Sequence, residues 1–360
     1  MTEEWGSILR PDFQSSCLTV IPVFRGSISP RITMHVGLTY DLRSDYLAMG
    51  FSMEETAEFD KEDTIAGIET ALKELGHETD RIGHAKALVK RLDAGDRWDI
   101  VFNICEGLEG VARESQVPAL LDLYQIPYVF SDPLVLALTL HKGMTKRVVR
   151  DAGVPTSDFC VYESAEDLAD LRFGAPFFVK PVAEGTGKGC SSKSIVRARV
   201  GLEEACDDLV TRFRQPALIE PYLGGREFTV GITGTGRQAK VVGSMEIVLL
   251  SNAEKGVYSY SNKGNYEDRV VYHPGNATQD PVAGASEKVA LDAWRALGCR
   301  DGGRVDIRCD DGQNPMFLEV NPLAGLTPKD SDLPILARMA NVSYTELVRR
   351  IMASAVDRIK

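Results

Sequence analysis

The chain has 360 residues, of which 44% are hydrophobic and 26% charged, and a formal net charge of −11; this is the balance of a globular protein long enough for roughly two or three subdomains. The acidic sign excludes a nucleic-acid binder working by broad phosphate neutralisation, although a nucleotide needs only a local basic pocket. No run approaches the roughly 18 consecutive apolar residues of a membrane helix, and Met1–Arg10 carries Glu3 and Glu4 with no apolar run, unlike a secretion signal.

In chain order, 1–31 reads as an extension rich in Ser, Pro and Gly. Ile32–Leu38 is the first apolar strand. Asp63 is the expected N-cap of a helix carrying Ile65, Ile68, Leu72 and Leu75 at helical spacing, which Gly76 stops. Strand Ile100–Ile104, helix Ser115–Tyr124 with Pro118 in its first turn, and strand Ile126–Phe130 follow. Strand–helix alternation of this kind implies a parallel sheet covered by helices. Lys142–Ala152 is a basic helix, after which short strands dominate: Phe177–Lys180, Ala217–Glu220, Glu227–Ile232 and Lys240–Val248. Gly234-Thr235-Gly236 turns the last two, and Ser251–Gly275 reads as a long loop of the kind that closes over sites. Helix Ser286–Leu297 precedes a hairpin of Gly303–Cys309 and Pro315–Val320 around Asp310-Asp311-Gly312, and helices near Leu333–Ala340 and Tyr344–Ile359 end the chain. Seven scattered cysteines without a CxxC pair (Cys17, Cys105, Cys160, Cys190, Cys206, Cys299 and Cys309) read as reduced thiols in a cytosol, with no zinc site.

The hairpin carries chemistry. Alternation puts Arg304, Asp306 and Arg308 on one face of the first strand and Phe317, Glu319 and Asn321 on one face of the second. If the registers agree, Asp306, Glu319 and Asn321 converge as oxygen ligands suited to Mg²⁺, with Arg304 beside them to stabilise developing negative charge. The alternative is a solvated hairpin, but Glu319 lies inside an otherwise apolar strand. Lys180 ends a buried strand and precedes Glu184-Gly185-Thr186-Gly187-Lys188-Gly189, whose glycines would let backbone N–H groups approach phosphate oxygens; a flexible turn is the alternative. Glu220–Leu223 could offer backbone to an adenine edge, with Glu227 near a ribose, but on the residues alone a structural role is the better reading.

In this order these segments resemble the ATP-grasp superfamily and, within it, D-alanine–D-alanine ligases. The resemblance runs from about Ile32 to Arg358. It rests on Lys142 in Leu-His-Lys-Gly-Met-Thr-Lys, Val179-Lys180-Pro181, Glu184-Gly185, Glu220 with Gly225-Arg226-Glu227, Gly303-Arg304-Val305-Asp306, Glu319-Val320-Asn321-Pro322 and Gly325-Leu326-Thr327-Pro328. It implies an α/β protein: an N-terminal parallel-sheet, substrate-binding domain at 32–140, then a two-lobed ATP-grasp α+β fold, the small lobe at 141–226 and the large catalytic lobe at 227–360. Lys142 and Lys180, with Glu184, Gly185 and Thr186, would hold ATP phosphates; Glu220 and Leu223 would frame adenine, and Glu227 the ribose. Asp306, Glu319 and Asn321 would bind two Mg²⁺ ions, for which Mn²⁺ can substitute. Arg304 and the backbone N–H of Gly325 would steady a tetrahedral intermediate, and Lys263 would ride a loop closing over the γ-phosphate. The implied reaction joins a carboxylate to an amine through an acyl phosphate, on small amino acids or carboxylates, in a cytoplasmic enzyme and a homodimer.

The departures fall on the substrate side. The first strand runs into Gly37-Leu38-Thr39-Tyr40-Asp41-Leu42-Arg43 without the family's Glu, and its His-Gly is replaced by Glu106-Gly107. Glu106, Arg113 and Glu114 are the candidate replacement contacts. Asp330 and Ser331, in Lys329-Asp330-Ser331-Asp332, occupy the region that would receive a second substrate's carboxylate. Three readings follow: a ligase for a different substrate pair, an ordinary D-alanine–D-alanine ligase with other contacts, and a nucleotide-binding regulatory protein without turnover.

Overall fold

Alternating apolar strands and amphipathic helices begin the folded chain. A computed structural model describes residues 33–254, 256–258, 262 and 266–359; the extension and Lys263 lie outside them. Strands β1 (His35–Tyr40), β2 (Glu78–Gly83) and β3 (Ile100–Ile104) form a parallel sheet in the order β2-β1-β3. Between them run helices α1 (Arg43–Ala48), α2 (Glu62–Glu74) and α3 (Ala85–Asp93). The cap of α2 is Lys61, two positions earlier than expected, and Asp63 sits inside the first turn, where its charge meets the positive helix end. Gly76 ends that segment at φ 91°, a left-handed conformation that suits glycine. Edge strand β2 escapes sequence reading because Glu78-Thr79-Asp80-Arg81 is polar on both faces. Segment Ile126–Phe130, expected as a strand, makes a single parallel bridge, Val101 to Tyr128; Pro127 has no N–H to donate to a ladder.

Helices α4 (Gln116–Leu123), α5 (Pro133–Leu140) and α6 (Lys142–Asp151) lead into a second sheet. Its strands are β4 (Cys160–Tyr162), β5 (Phe177–Pro181), β6 (Ile195–Val196) and β7 (Ala217–Pro221), in the order β4-β7-β5-β6, and α7 (Leu202–Phe213) packs against β5 and β7. The third sheet is antiparallel: β8 (Glu227–Thr233), β9 (Lys240–Leu249), β10 (Val270–Pro274), β11 (Gly302–Cys309) and β12 (Pro315–Asn321), in the order β10-β9-β8-β11-β12. The expected loop at 251–275 therefore ends in α8 (Tyr266–Arg269) and a strand, with Val270 opposite Leu249. Helix α9 (Pro281–Ala296) lays the fully buried Trp294 on this sheet, in a core with Phe228, Val305, Ile307 and Phe317.

Helices α10 (Asp332–Met339) and α11 (Tyr344–Ile359) complete the described chain. Leu323 and Leu326 bury in a core shared with Ile65, Ile68, Phe102 and Leu347, leaving Gly325 between them exposed. Two buried anchors thus hold one short loop over the cleft. Among the described residues, no helix is long and apolar enough to cross a membrane.

Candidate active site

The β11–β12 register places Arg304 opposite Asn321 and Asp306 opposite Glu319. It then slips by one residue, so that Ile307 faces Phe317. This bulge overturns one expectation: Phe317 does not share a face with Glu319 but buries in the core, while Leu318 and Glu319 both line the cleft. Asp306 accepts from Thr229 at 2.9 Å on one oxygen and is approached by the Asn321 amide at 3.4 Å on the other. Two carboxylates and one amide oxygen are hard donors that fit Mg²⁺. Among the described residues no group of three His, Cys, Asp or Glu could hold a metal, so a cation here would need donors beyond these side chains. Gly303 admits β12 closely, since a Cβ there would lie 2.5 Å from the Asn321 carbonyl oxygen.

Behind this hairpin lies a solvent-open cavity whose empty space, its mouth included, is about 810 Å³, lined by Phe178, Leu223, Val257 and Leu318 on its apolar side and by Lys142, Lys180 and Glu227 on its polar side. Three buried charges organise the polar end. Glu220 receives Lys146 at 2.6 Å and Lys180 at 2.9 Å, with all three at most 3% exposed. Burial alone would raise the Glu220 carboxyl, but the two ammonium groups outweigh it and pull it down to about 2. Burial lowers the Lys146 pKa, and Glu220 opposes that. Glu220 therefore acts as the counterion of two lysines, a role the sequence did not suggest beside the adenine contact expected of it. Lys146, spaced four residues from Lys142 on one face of α6, received no role from the sequence.

Lys142 donates to the Glu184 carbonyl and lies 3.7 Å from Glu319. Glu184 accepts from Gln215 at 2.7 Å and pairs with Lys188 at 2.6 Å. The Gly185 N–H donates to Glu58 at 2.6 Å, so Glu58 props the Gly-rich segment from 127 residues away in sequence. Glu227 pairs with Arg308 at 2.9 Å, and Arg308 also donates to the carbonyls of Leu223 at 2.7 Å and Gly256 at 3.2 Å. Gly225 is required by a close approach, with a Cβ position 2.4 Å from the Asp310 carbonyl oxygen.

A second cavity of about 670 Å³ adjoins the first: Lys142, Glu184 and Glu319 line both. Arg304, Asn321, Thr186 and Gly325 line it from the C-terminal side, and Glu58, Glu106 and Glu114 from the N-terminal side. Burial works against the charge of Arg304, but Asp306 and Asp332 hold the guanidinium protonated well beyond its ordinary range. Asp332 approaches to 3.8 Å and was not expected at the site. Arg113, expected as a substrate contact, is tied behind the wall: it donates to the Ala183 carbonyl at 2.9 Å and to Glu58 at 2.8 Å. Ser331 accepts from the Thr327 N–H at 3.0 Å, bracing the loop of Gly325, whereas Asp330 is exposed and lines neither cavity.

Residues 148–353 match the family model described as D-ala D-ala ligase C-terminus. The chain is 33% identical over 297 residues to a D-alanine–D-alanine ligase of Bordetella avium, covering 82% of this chain and 90% of that one. This chain belongs to the D-alanine–D-alanine ligase family. Solved structures agree on the ligase's fold. The D-alanine–D-alanine ligase of Bacillus anthracis complexed with ATP superposes with a TM-score of 0.68 at 22% identity, covering 91% of this chain and 98% of that one. The VanG D-Ala:D-Ser ligase of Enterococcus faecalis gives 0.67 at 16% identity, covering 90% and 100%. The ligase is thus an ATP-dependent enzyme of ATP-grasp architecture, and the reading without turnover is set aside.

Sequence reasoning missed four site residues of the ligase: Glu58, Lys146, Arg308 and Asp332. Lys146 and Arg308 had a signal, each being a charge repeating at element spacing beside an assigned one. Glu58 had none, because its segment follows no period.

Proposed function

We propose that the ligase joins a carboxylate to an amine through an acyl phosphate, with a substrate pair other than two D-alanines. One observation carries this reading: two cavities meet at Lys142, Glu184 and Glu319, so a nucleotide in the first would direct its terminal phosphate into the second. Lys142 and Lys180 would bind phosphate oxygens, and Leu223, Phe178 and Leu318 would enclose the base beside Glu227. A substrate carboxylate oxygen would attack the γ-phosphorus, breaking its bond to the β-bridging oxygen and releasing ADP. The amine would then attack the acyl carbon. Arg304 and the Gly325 N–H would receive the negative charge on the carbonyl oxygen, and phosphate would leave to give the amide. Asp306, Glu319 and Asn321 would hold Mg²⁺, two ions in this reading, which neutralises phosphate charge when bound. Lys263 would close the loop over the phosphates. Positioning and charge carry such chemistry, and no side-chain nucleophile is needed.

The altered pair is supported by Glu106 and Glu114 on the substrate wall and by Asp332 beside Arg304. A screen of amino acids for ADP release tests it: turnover should need an acid other than D-alanine. Efficient turnover with D-alanine alone would instead establish the second reading, favoured by the likeness to the Bordetella avium enzyme. We also propose that the three sheets correspond to the divisions 32–140, 141–226 and 227–360, and that the enzyme is a cytoplasmic homodimer.

A further inference from the structure

The wall of the substrate cavity contributed by the N-terminal sheet region holds three carboxylates, Glu58, Glu106 and Glu114. Their charges are not equally balanced. Glu58 is cancelled by Arg113 at 2.8 Å and anchored by the Gly185 N–H. Glu184, at the mouth, is matched by Lys188 at 2.6 Å. Glu106 and Glu114 are largely buried and have neither a hydrogen bond nor an ion pair among the described residues. The nearest guanidinium, on Arg113, is already spent on Glu58 and the Ala183 carbonyl. On the same cavity the Thr186 hydroxyl is buried with no partner among the described residues. A folded chain rarely leaves a buried hydroxyl such as that of Thr186 bare, and carboxylates that the protein does not pair are ones that a cationic ligand can pair.

We infer that the substrate held against this wall is a basic amino acid, with its carboxylate toward Lys142 and Arg304 and its two cationic groups on Glu106 and Glu114. This rests on the ligase reading and names its substrate class. Two unpaired carboxylates need two positive charges. A neutral amino acid brings one ammonium and would leave one of the two carboxylates without a counter-charge once the bound ligand excludes water. The electrostatics agree. Burial first, then Glu114 and Glu58, push the Glu106 carboxyl well above its usual range. Burial likewise pushes Glu114 up to about 7, against the pull of Arg113. Without a ligand the wall takes up protons; a dication would replace them. The Thr186 hydroxyl adds an acceptor for an ammonium or a donor for the carboxylate.

The test is equilibrium binding to the full chain by calorimetry, with Mg²⁺ and a non-hydrolysable ATP analogue present. The probes are 2,4-diaminobutyrate and 2-aminobutyrate, each as both enantiomers. The diamino acid should bind at least about tenfold more tightly than its neutral counterpart, the worth of one hydrogen bond to a charged group. Glu106→Gln and Glu114→Gln should each reduce that ratio about tenfold, while affinity for the ATP analogue stays unchanged. Neither variant should impair folding, since each removes an unpaired buried charge. Equal or tighter binding of the neutral acid, binding of neither probe, or an unchanged ratio in both variants overturns the inference. ADP release is scored separately: a cation preference without ADP from any acid–amine pair would sink the ligase reading and leave this one standing.

Discussion

Removing Glu220 should harm the nucleotide-free ligase more than removing either lysine it touches. The Lys146–Glu220–Lys180 cluster holds two positive charges and one negative. Lys146→Met leaves Glu220 and Lys180 as a balanced pair, and the loss is that of one charged hydrogen bond, about 2 kcal/mol. Glu220→Gln strands two buried ammonium groups with no counterion. Its magnitude can be worked from the carboxyl itself: a fall from 4.5 to about 2 on folding corresponds to about 3 kcal/mol. That agrees with the roughly 3–5 kcal/mol lost when one partner of a buried ion pair is deleted. The sign for acid follows. A depressed carboxyl contributes fully above its unfolded value of 4.5, and that contribution is lost as pH falls toward 2. Urea unfolding of wild type, Lys146→Met and Glu220→Gln without nucleotide, at pH 7 and at about pH 3, measures both effects. Glu220→Gln should be the less stable variant at pH 7, and its deficit against wild type should narrow at low pH. A Lys146→Met variant as unstable as Glu220→Gln, or a deficit independent of pH, would refute the counterion argument.

Arg304→Lys should lower kcat by at least about a hundredfold, since lysine lacks the planar fork that meets a developing oxyanion; steady-state ADP release checks this. Gly303→Ala drives a Cβ to within 2.5 Å of the Asn321 carbonyl oxygen and 2.8 Å of Trp294. It should cost about 1–3 kcal/mol by thermal or urea unfolding, as overpacking does, and should reduce kcat by displacing Asn321. Arg308→Met removes the link from Glu227 to the carbonyls of Leu223 and Gly256. It should raise the KM for ATP about tenfold with kcat changed less than about twofold, the pattern of a lost ground-state contact.

Patterning in the sequence carried α2, α11 and the β11–β12 hairpin, which repeat or alternate, and β3, a short apolar run buried on both faces. The charged site was readable for a related reason: Lys180 and Glu319 lie in strands that are otherwise apolar, where a charge needs a purpose, and Arg304, Asp306 and Arg308 alternate with apolar residues on theirs. The bulge at Leu318 was not readable. Its effect is to move Phe317 into the core and Leu318 into the nucleotide cavity, and strict alternation predicts the reverse. Glu58 and Asp332 acquire their meaning from tertiary neighbours alone, Gly185 and Arg113 for one and Arg304 for the other. Arg113 shows the converse limit. A cation beside a substrate wall invites a binding role, yet Arg113 is committed to Glu58 and the Ala183 carbonyl and does not line the cavity itself.

In the reading proposed above, two ion pairs of the site join groups assigned to different ligands. Lys142 lies near Glu319, and Arg304 bonds Asp306: in each pair the cation is suited to phosphate or oxyanion, and the carboxylate to a divalent metal. ATP alone would draw Lys142 away from Glu319, and Mg²⁺ alone would draw Asp306 away from Arg304, which keeps Asp332 at 3.8 Å. Each ligand alone therefore costs a broken pair, and both together cost none. The coupling should favour joint binding by about 1–3 kcal/mol, or about 5- to 150-fold in affinity, and it must be reciprocal. Calorimetric titration of an ATP analogue with and without excess EDTA, and of Mn²⁺ with and without the analogue, measures the two factors independently on the resting enzyme, after correction for metal bound to free nucleotide. Glu319→Gln removes one exchanged charge and should weaken metal binding while bringing the analogue's affinity in EDTA closer to its value with metal. Metal-independent nucleotide affinity in the wild type would mean that these pairs are not exchanged on binding, and that Lys142 keeps Glu319 as its partner throughout.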